Sequence, residues 1–257
     1  MNSFRKIAAI SKSTSLEIIY DKVFVVILII ALLIILSSRI VSMLTPGQEL
    51  KLVIDIGLSC IYLFSLLIAV FSGAHLINRE IERSSALLLL TKPIQRHEFI
   101  LGKYFGLILT IFLMIALMLI VYIPILLSFK GINNFLVLAT IFHKYIEVSL
   151  VAAFALFFSS FCKPVMGIIL TFFVHISGIL VSDLEFIAAH SDNIFFRITL
   201  RLIHNFFPNF NNFNIIGMEF TRNITEPFSF FIPIIYGILY IILVLTFTTI
   251  IFKKRTL

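Results

Sequence analysis

The sequence predicts an all-α polytopic membrane protein with six transmembrane helices. Three observations carry that reading. Of 257 residues, 60% are hydrophobic and 13% charged, whereas soluble domains run near ~45–50% apolar and about 25% charged. The mean hydropathy of +1.12 agrees. The apolar residues fall in long runs, and a helix needs about 20 of them to cross the hydrocarbon core. The net charge of +7 sits at the ends of those runs, where the positive-inside bias puts Lys and Arg. A nucleic-acid surface would need these residues on one face of a polar domain. Lipids are therefore the expected surroundings, and no nucleic acid is expected.

Residues 1–21 read as an amphipathic helix lying in the cytoplasmic interface. Phe4, Ile7, Ala8, Ile18 and Ile19 make its apolar stripe, with Arg5, Lys6, Lys12 and Glu17 off it. A plain soluble helix is the alternative. Span one covers 23–44, with Arg39 near its far end, where a long side chain can reach the headgroups. No small-residue cleavage site follows, so this run reads as a retained anchor. Thr45-Pro46-Gly47-Gln48 makes a turn, and span two covers 52–77, with Asp55 near its outer end and His75 near its inner end.

Residues 78–103 form the one long charged segment. Span three follows at 104–129, with Pro124 in its last turns, where a ring without an N–H bends a helix. Residues 132–142 are apolar but too short to cross, which predicts a re-entrant or interfacial piece. Span four covers 143–162. Cys162-Lys163-Pro164 is a tight connection, with Pro164 suited to a first helical position, and span five covers 164–182. Residues 183–228 form an extracytoplasmic segment. In it Ile194, Phe195, Ile198, Leu202 and Phe206 oppose Arg197, Arg201 and His204, as in a second interfacial helix, which Pro208-Asn209-Phe210-Asn211-Asn212 closes. Span six covers 229–252 and stops at Lys253-Lys254-Arg255. The chain 1–257 thus reads as a single transmembrane domain.

Six spans put both termini on one side. That side carries Arg5, Lys6, Lys12, Lys22, Arg79, Arg83, Lys92, Arg96, Lys103, Lys163, Lys253, Lys254 and Arg255. The other carries Arg39, Lys51, Lys130, Lys144, Arg197, Arg201 and Arg222. The imbalance predicts cytoplasmic termini and a cytoplasmic charged segment.

The six histidines show no H-x-x-x-H or H-E-x-x-H spacing, and no G-x-x-x-x-G-K-[ST] loop is present. Cys60 and Cys162 lie in apolar runs and read as small buried side chains. Asn223-Ile224-Thr225 matches a glycosylation sequon and carries nothing without a secretory context. Glu147 and His175 are the ionisable groups expected well inside spans, and such groups are functional candidates. Glu147 also follows His143-Lys144 at helical spacing, so a local ion pair is the competing reading.

The charged segment holds Arg79, Glu80, Glu82, Arg83, Lys92, Arg96, Glu98 and Lys103. Both signs are present, which suits a protein-docking surface better than a lipid-binding tail. Ser84-Ser85 and the apolar residues 86–90 predict a short helix broken at Thr91-Lys92-Pro93, and Gln95-Arg96-His97-Glu98 opens the next one. A solvated loop with no partner is the competing reading.

This segment, R-E-I-E-R-S-S-A-L-L-L-L-T-K-P-I-Q-R-H-E-F-I-L-G-K-Y-F-G, resembles the signature after the second span in permeases of ABC-2-type ATP-binding-cassette transporters. It is more similar still to the bacterial branch labelled multi-copper-enzyme maturation permease. Glu80, Glu82, Arg83, Lys92, Pro93, Arg96, Glu98, Phe99, Leu101, Gly102 and Lys103 carry the match. Ser84-Ser85 replaces the usual arginine–threonine pair and His97 the usual aromatic. Asp55-Ile56-Gly57, Phe158-Ser159-Ser160-Phe161, Phe207-Pro208-Asn209 and the basic C-terminus extend the likeness along the chain.

The resemblance implies an ABC-2-type exporter fold in the bacterial inner membrane. It implies pairing with a second permease chain and two copies of a separate ABC ATPase subunit. Arg79, Glu80, Glu82, Arg83, Lys92, Pro93, Arg96 and Glu98 would dock the ATPase, and ATP and Mg would sit on that partner, with no cofactor on this chain. The apolar spans suit a hydrophobic or lipid-like substrate. The rival readings are a membrane scaffold without an ATPase, and an intramembrane enzyme or proton-coupled carrier using Glu147 and His175.

Overall fold

Apolar runs with turn residues at their ends leave the backbone one economical solution in lipid, helices that satisfy their own N–H and C=O groups. The computed structural model describes residues 3–43, 47–82, 95–129, 134–189, 197, 208–214 and 227–254. Those residues form seven α-helices and one 3-10 turn, with no strand among them. They are α1 (Ser3–Ile19), α2 (Lys22–Ser42), α3 (Glu49–Glu82), α4 (Arg96–Leu127), α5 (Asn134–Ser159), α6 (Pro164–Ala189), the turn Phe210–Phe213 and α7 (Pro227–Lys254). Helices α2 to α7 are each long and apolar enough to cross a membrane. The chain is therefore a multi-pass membrane protein.

Helix α3 is central and packs against α2, α4, α5 and α6. Its 34 residues span about 51 Å at 1.5 Å per residue, well beyond the roughly 30 Å hydrocarbon core. It thus runs past the expected boundary at residue 77 and takes in Arg79, Glu80 and Glu82. Helix α4 starts at Arg96, capped at Gln95, as the Gln95-Arg96-His97-Glu98 sequence predicts. The ends of α3 and α7, the starts of α2 and α4, and the turn from α5 to α6 meet at one end of the bundle, called here the charged end. Arg79 to Asp21, Arg96 to the Lys253 carbonyl and Asn78 to the Cys162 carbonyl join them there.

Helix α1 lies along α4. Of its expected apolar stripe, Ile18 is buried and Ile7 and Ile19 are half-buried. Phe4 and Ala8 are exposed, while Thr14, Ser15 and Ile18 are buried. Two glycines of α4 explain the choice. A Cβ on Gly102 would lie 2.6 Å from the Ile10 side chain, and one on Gly106 would lie 2.7 Å from the Ser11 carbonyl oxygen. So close a backbone approach seats the α1 face that carries Ile10, Thr14 and Ile18. Phe4 and Leu16 of α1, and Tyr20 just after it, are exposed.

Two further expectations change. The break expected near residue 143 does not exist, because α5 is continuous from Asn134 to Ser159. His143 there is fully buried, with Nδ1 2.9 Å from the Ala139 carbonyl and Nε2 3.0 Å from the Phe230 carbonyl of α7. A polar residue that finds partners inside the bundle does not end a span. Helix α6 likewise continues to Ala189, past the expected end at 182. Of the second interfacial helix expected around Ile194 to Phe206, all but Arg197 lies outside the described residues.

Candidate functional site

Charged residues collect at two depths. At the charged end, Asp21 precedes α2, and its side chain accepts the Val23 N–H at 3.0 Å, an N-cap bond. The same carboxylate takes Arg79 Nη2 of α3 at 2.7 Å. Burial disfavours its charged form. The hydrogen bond from Arg79, the one from the Val23 N–H and the attraction of the Arg79 charge outweigh that and hold its pKa below the ordinary carboxylate value.

Lys103 of α4 lies about two turns into its helix, with its side chain 4% exposed. Its Nζ is 2.6 Å from Glu80 of α3 and 3.7 Å from Glu17 of α1. Glu98 accepts the Gln95 N–H at 3.0 Å, half of a capping box, and meets Lys6 of α1 at 3.5 Å. Arg96 donates to the carbonyls of Phe252 and Lys253 at 2.9 and 2.8 Å, capping the free carbonyls at the end of α7. Asn78 donates to the Cys162 carbonyl at 3.0 Å, and Ser159 Oγ donates to the Ala74 carbonyl at 2.9 Å, which ties the α5–α6 turn to α3.

Of the residues expected to dock an ATPase, Arg79, Glu80, Arg96 and Glu98 are thus bonded within the chain. Glu82 is the last residue of α3. Arg83, Lys92 and Pro93 lie outside the described residues. The four paired residues border the two ends of that stretch, at Glu82 and at Gln95.

The second collection lies within the spans. Tyr62, Glu147 and His175 stand 13, 13 and 11 residues into α3, α5 and α6, or about 17–20 Å from the helix starts. Tyr62 Oη donates to Glu147 Oε1 at 2.5 Å and lies 3.1 Å from His175 Nε2. Lys144 Nζ donates to the other Glu147 oxygen at 2.8 Å and sits 4.5 Å from the centre of the Tyr62 ring. Both readings of Glu147 therefore meet: it forms the local pair with Lys144 and is joined to His175 through Tyr62.

Ionised Glu147, the form that the Lys144 ammonium favours, sets the direction of these bonds. A carboxylate only accepts, so the single Tyr62 proton goes to Glu147. The Tyr62 oxygen can then only accept from His175, which places a proton on Nε2. Nδ1 is buried with no hydrogen-bond partner. Phe210 covers His175, its ring centre 5.1 Å away. It belongs to the 3-10 turn, whose Phe210 and Phe213 are both buried. The Asn209 N–H before that turn donates to Tyr236 Oη at 2.9 Å, and Asn211 donates to the Ile179 carbonyl at 2.8 Å. The stretch expected to close an interfacial helix is instead packed into the bundle against α5 and α6. The arrangement can hold three helices in register and pass a proton between Glu147 and His175 through the Tyr62 hydroxyl.

Reading the sequence alone overlooks Tyr62, Asp21 and the pairing of Lys103. Asp21 was legible as an N-cap type directly before an apolar run. Tyr62 carries no local signal, because a tyrosine in an apolar run is ordinary until its partners on other helices are known. No group of three His, Cys, Asp or Glu placed to hold a metal occurs among the described residues.

Comparison with curated proteins gives no match. The model for the ABC-2 family of transporter proteins matches residues 8–257, almost the whole chain. With six membrane-crossing helices and a charged stretch set between α3 and α4, the chain belongs to the ABC-2 transporter family.

Proposed function

We propose that this ABC-2 permease exports a hydrophobic or lipid-like substrate across the bacterial inner membrane, driven by ATP hydrolysed on a separate subunit. Membership of the family makes the chain the membrane component of an ABC transporter and implies an ATP-binding partner. The finer reading has two permease chains, alike or different, with two ATPase subunits that carry ATP and Mg, and both termini in the cytoplasm. In this reading the motif after span two also likens the chain to the branch labelled multi-copper-enzyme maturation permease.

One observation carries the docking site. The stretch between Glu82 and Gln95 leaves from two helix ends that are each fixed by ion pairs or caps to neighbouring helices. A partner pressing on that stretch moves the bundle rather than a loose loop. Glu82, Arg83, Lys92 and Pro93 are the contact residues in this reading, and Arg79, Glu80, Arg96 and Glu98 border them. The internal pairing of Glu147 with Lys144 favours an apolar cargo over an ion.

The test is co-purification from native membranes. The wild-type chain should retain an ATPase with a phosphate-binding loop, identified by mass spectrometry. The double variant Glu82→Lys, Arg83→Glu should lose it. Undiminished complex and ATP hydrolysis in the double variant would rule the docking site out. A proton-coupled mode is the second reading, because Tyr62 joins Glu147 to His175. Transport that survives Glu147→Gln with His175→Ala removes it.

A further inference from the structure

We propose that Lys103 is a positioning residue that makes α1 move with the ATPase-docking stretch. The inference rests on the docking reading above. Its material is a three-helix junction. The Lys103 ammonium, 4% exposed, holds Glu80 at 2.6 Å and Glu17 at 3.7 Å. Glu80 lies two residues before the end of α3, Lys103 two turns after the start of α4, and Glu17 near the end of α1. The docking stretch hangs between the first two.

Shape complementarity backs the charges. Gly102 and Gly106 flank Lys103 in sequence and admit the α1 backbone at contact distance, with Ile10 and Thr14 each 2.6 Å from the position a Cβ would take. Thr110 Oγ1 donates to Ser15 Oγ at 3.2 Å, and Lys6 meets Glu98, at 3.5 Å, further along the same contact. With α1 so closely seated, α4 cannot tilt without carrying it. The ammonium also separates two carboxylates. Without it Glu80 and Glu17 face each other as like charges in a half-dry site, and the ends of α3 and α1 are pushed apart. Away from this contact Leu16 of α1 is 43% exposed.

The test uses the full-length permease with its ATPase in lipid nanodiscs, comparing wild type with Lys103→Met, Lys103→Arg and Glu17→Gln. Three quantities are read: ATPase retained on the tagged permease, the rate of ATP hydrolysis, and hydrogen exchange of the α1 amides. The methionine variant should keep its ATPase and hydrolyse about tenfold more slowly, within the 5–150-fold of an ordinary coupling energy. Its α1 amides should exchange faster, and arginine should restore both the rate and the exchange. Hydrolysis at the wild-type rate in Lys103→Met overturns the inference. So does loss of the ATPase in step with activity, which marks a docking contact, or failure of arginine to rescue. Should the methionine variant not fold, Glu17→Gln decides, because it leaves the Glu80 pair intact. It should slow hydrolysis by about fivefold with faster α1 exchange, at the low end of the same scale, and wild-type behaviour in both overturns the inference. A wild-type chain that holds no ATPase sinks the docking reading instead.

Discussion

The charged end and the mid-span cluster are built from the same residue types and behave as different materials. At the charged end Arg79 and Asp21 keep 38% and 22% of their side chains exposed, so water and salt reach the pair. In the cluster Glu147 is 1% exposed, and its two oxygens are satisfied by Tyr62 and Lys144. An exposed pair adds little stability and is easily exchanged for another partner, whereas a dry pair costs much to break. The comparison teaches that the Arg79–Asp21 pair is the easier to exchange and the Glu147 cluster the harder to break.

The largest effect should come from the dry side. Glu147→Ala leaves Lys144 and Tyr62 without their acceptor and should destabilise the fold by about 3–5 kcal/mol, as for other buried pairs that lose one member. Thermal unfolding in neutral detergent would read it, and the loss should barely depend on salt. A loss as small as that of an exposed pair would erase the distinction between the two regions.

An intermediate effect should follow at the seam between them. Gly106→Val puts a branched side chain where the Ser11 carbonyl lies 2.7 Å from the Cβ position, an overpacking that costs about 1–3 kcal/mol. Hydrogen exchange should show α1 loosened while the amides around Glu147 keep their protection. Equal loosening of both would mean that α1 and the cluster form one rigid body.

The smallest effect belongs to the wet pair. Asn keeps the capping ability of Asp21 and removes only the charge, so Asp21→Asn should cost under about 1 kcal/mol and less at high salt. The pKa of Asp21 is lowered in the folded protein. Its contribution is therefore complete above the ordinary carboxylate pKa and is lost as the pH falls through the lowered folded value. Wild type and variant should differ by a constant amount at neutral pH and converge in acid. A gap that widens in acid contradicts the pairing.

Composition and charge placement settled the class, the number of spans and several helix starts, including Gln95-Arg96-His97-Glu98 and Pro164. These depend on local chemistry: an apolar run must be helical in lipid, and a cap or proline acts on its own backbone. The motif between spans two and three also pointed to the family that the comparison finds. Tertiary structure alone decided which charges pair, that His143 lies inside a helix rather than at its end, and which face α1 buries. It also decided that Phe210 sits over His175 and that Tyr62 joins Glu147 to it. Each of these turns on distances between helices far apart in the chain. The energy of a buried charge depends on its partners in space, and a linear sequence does not state them.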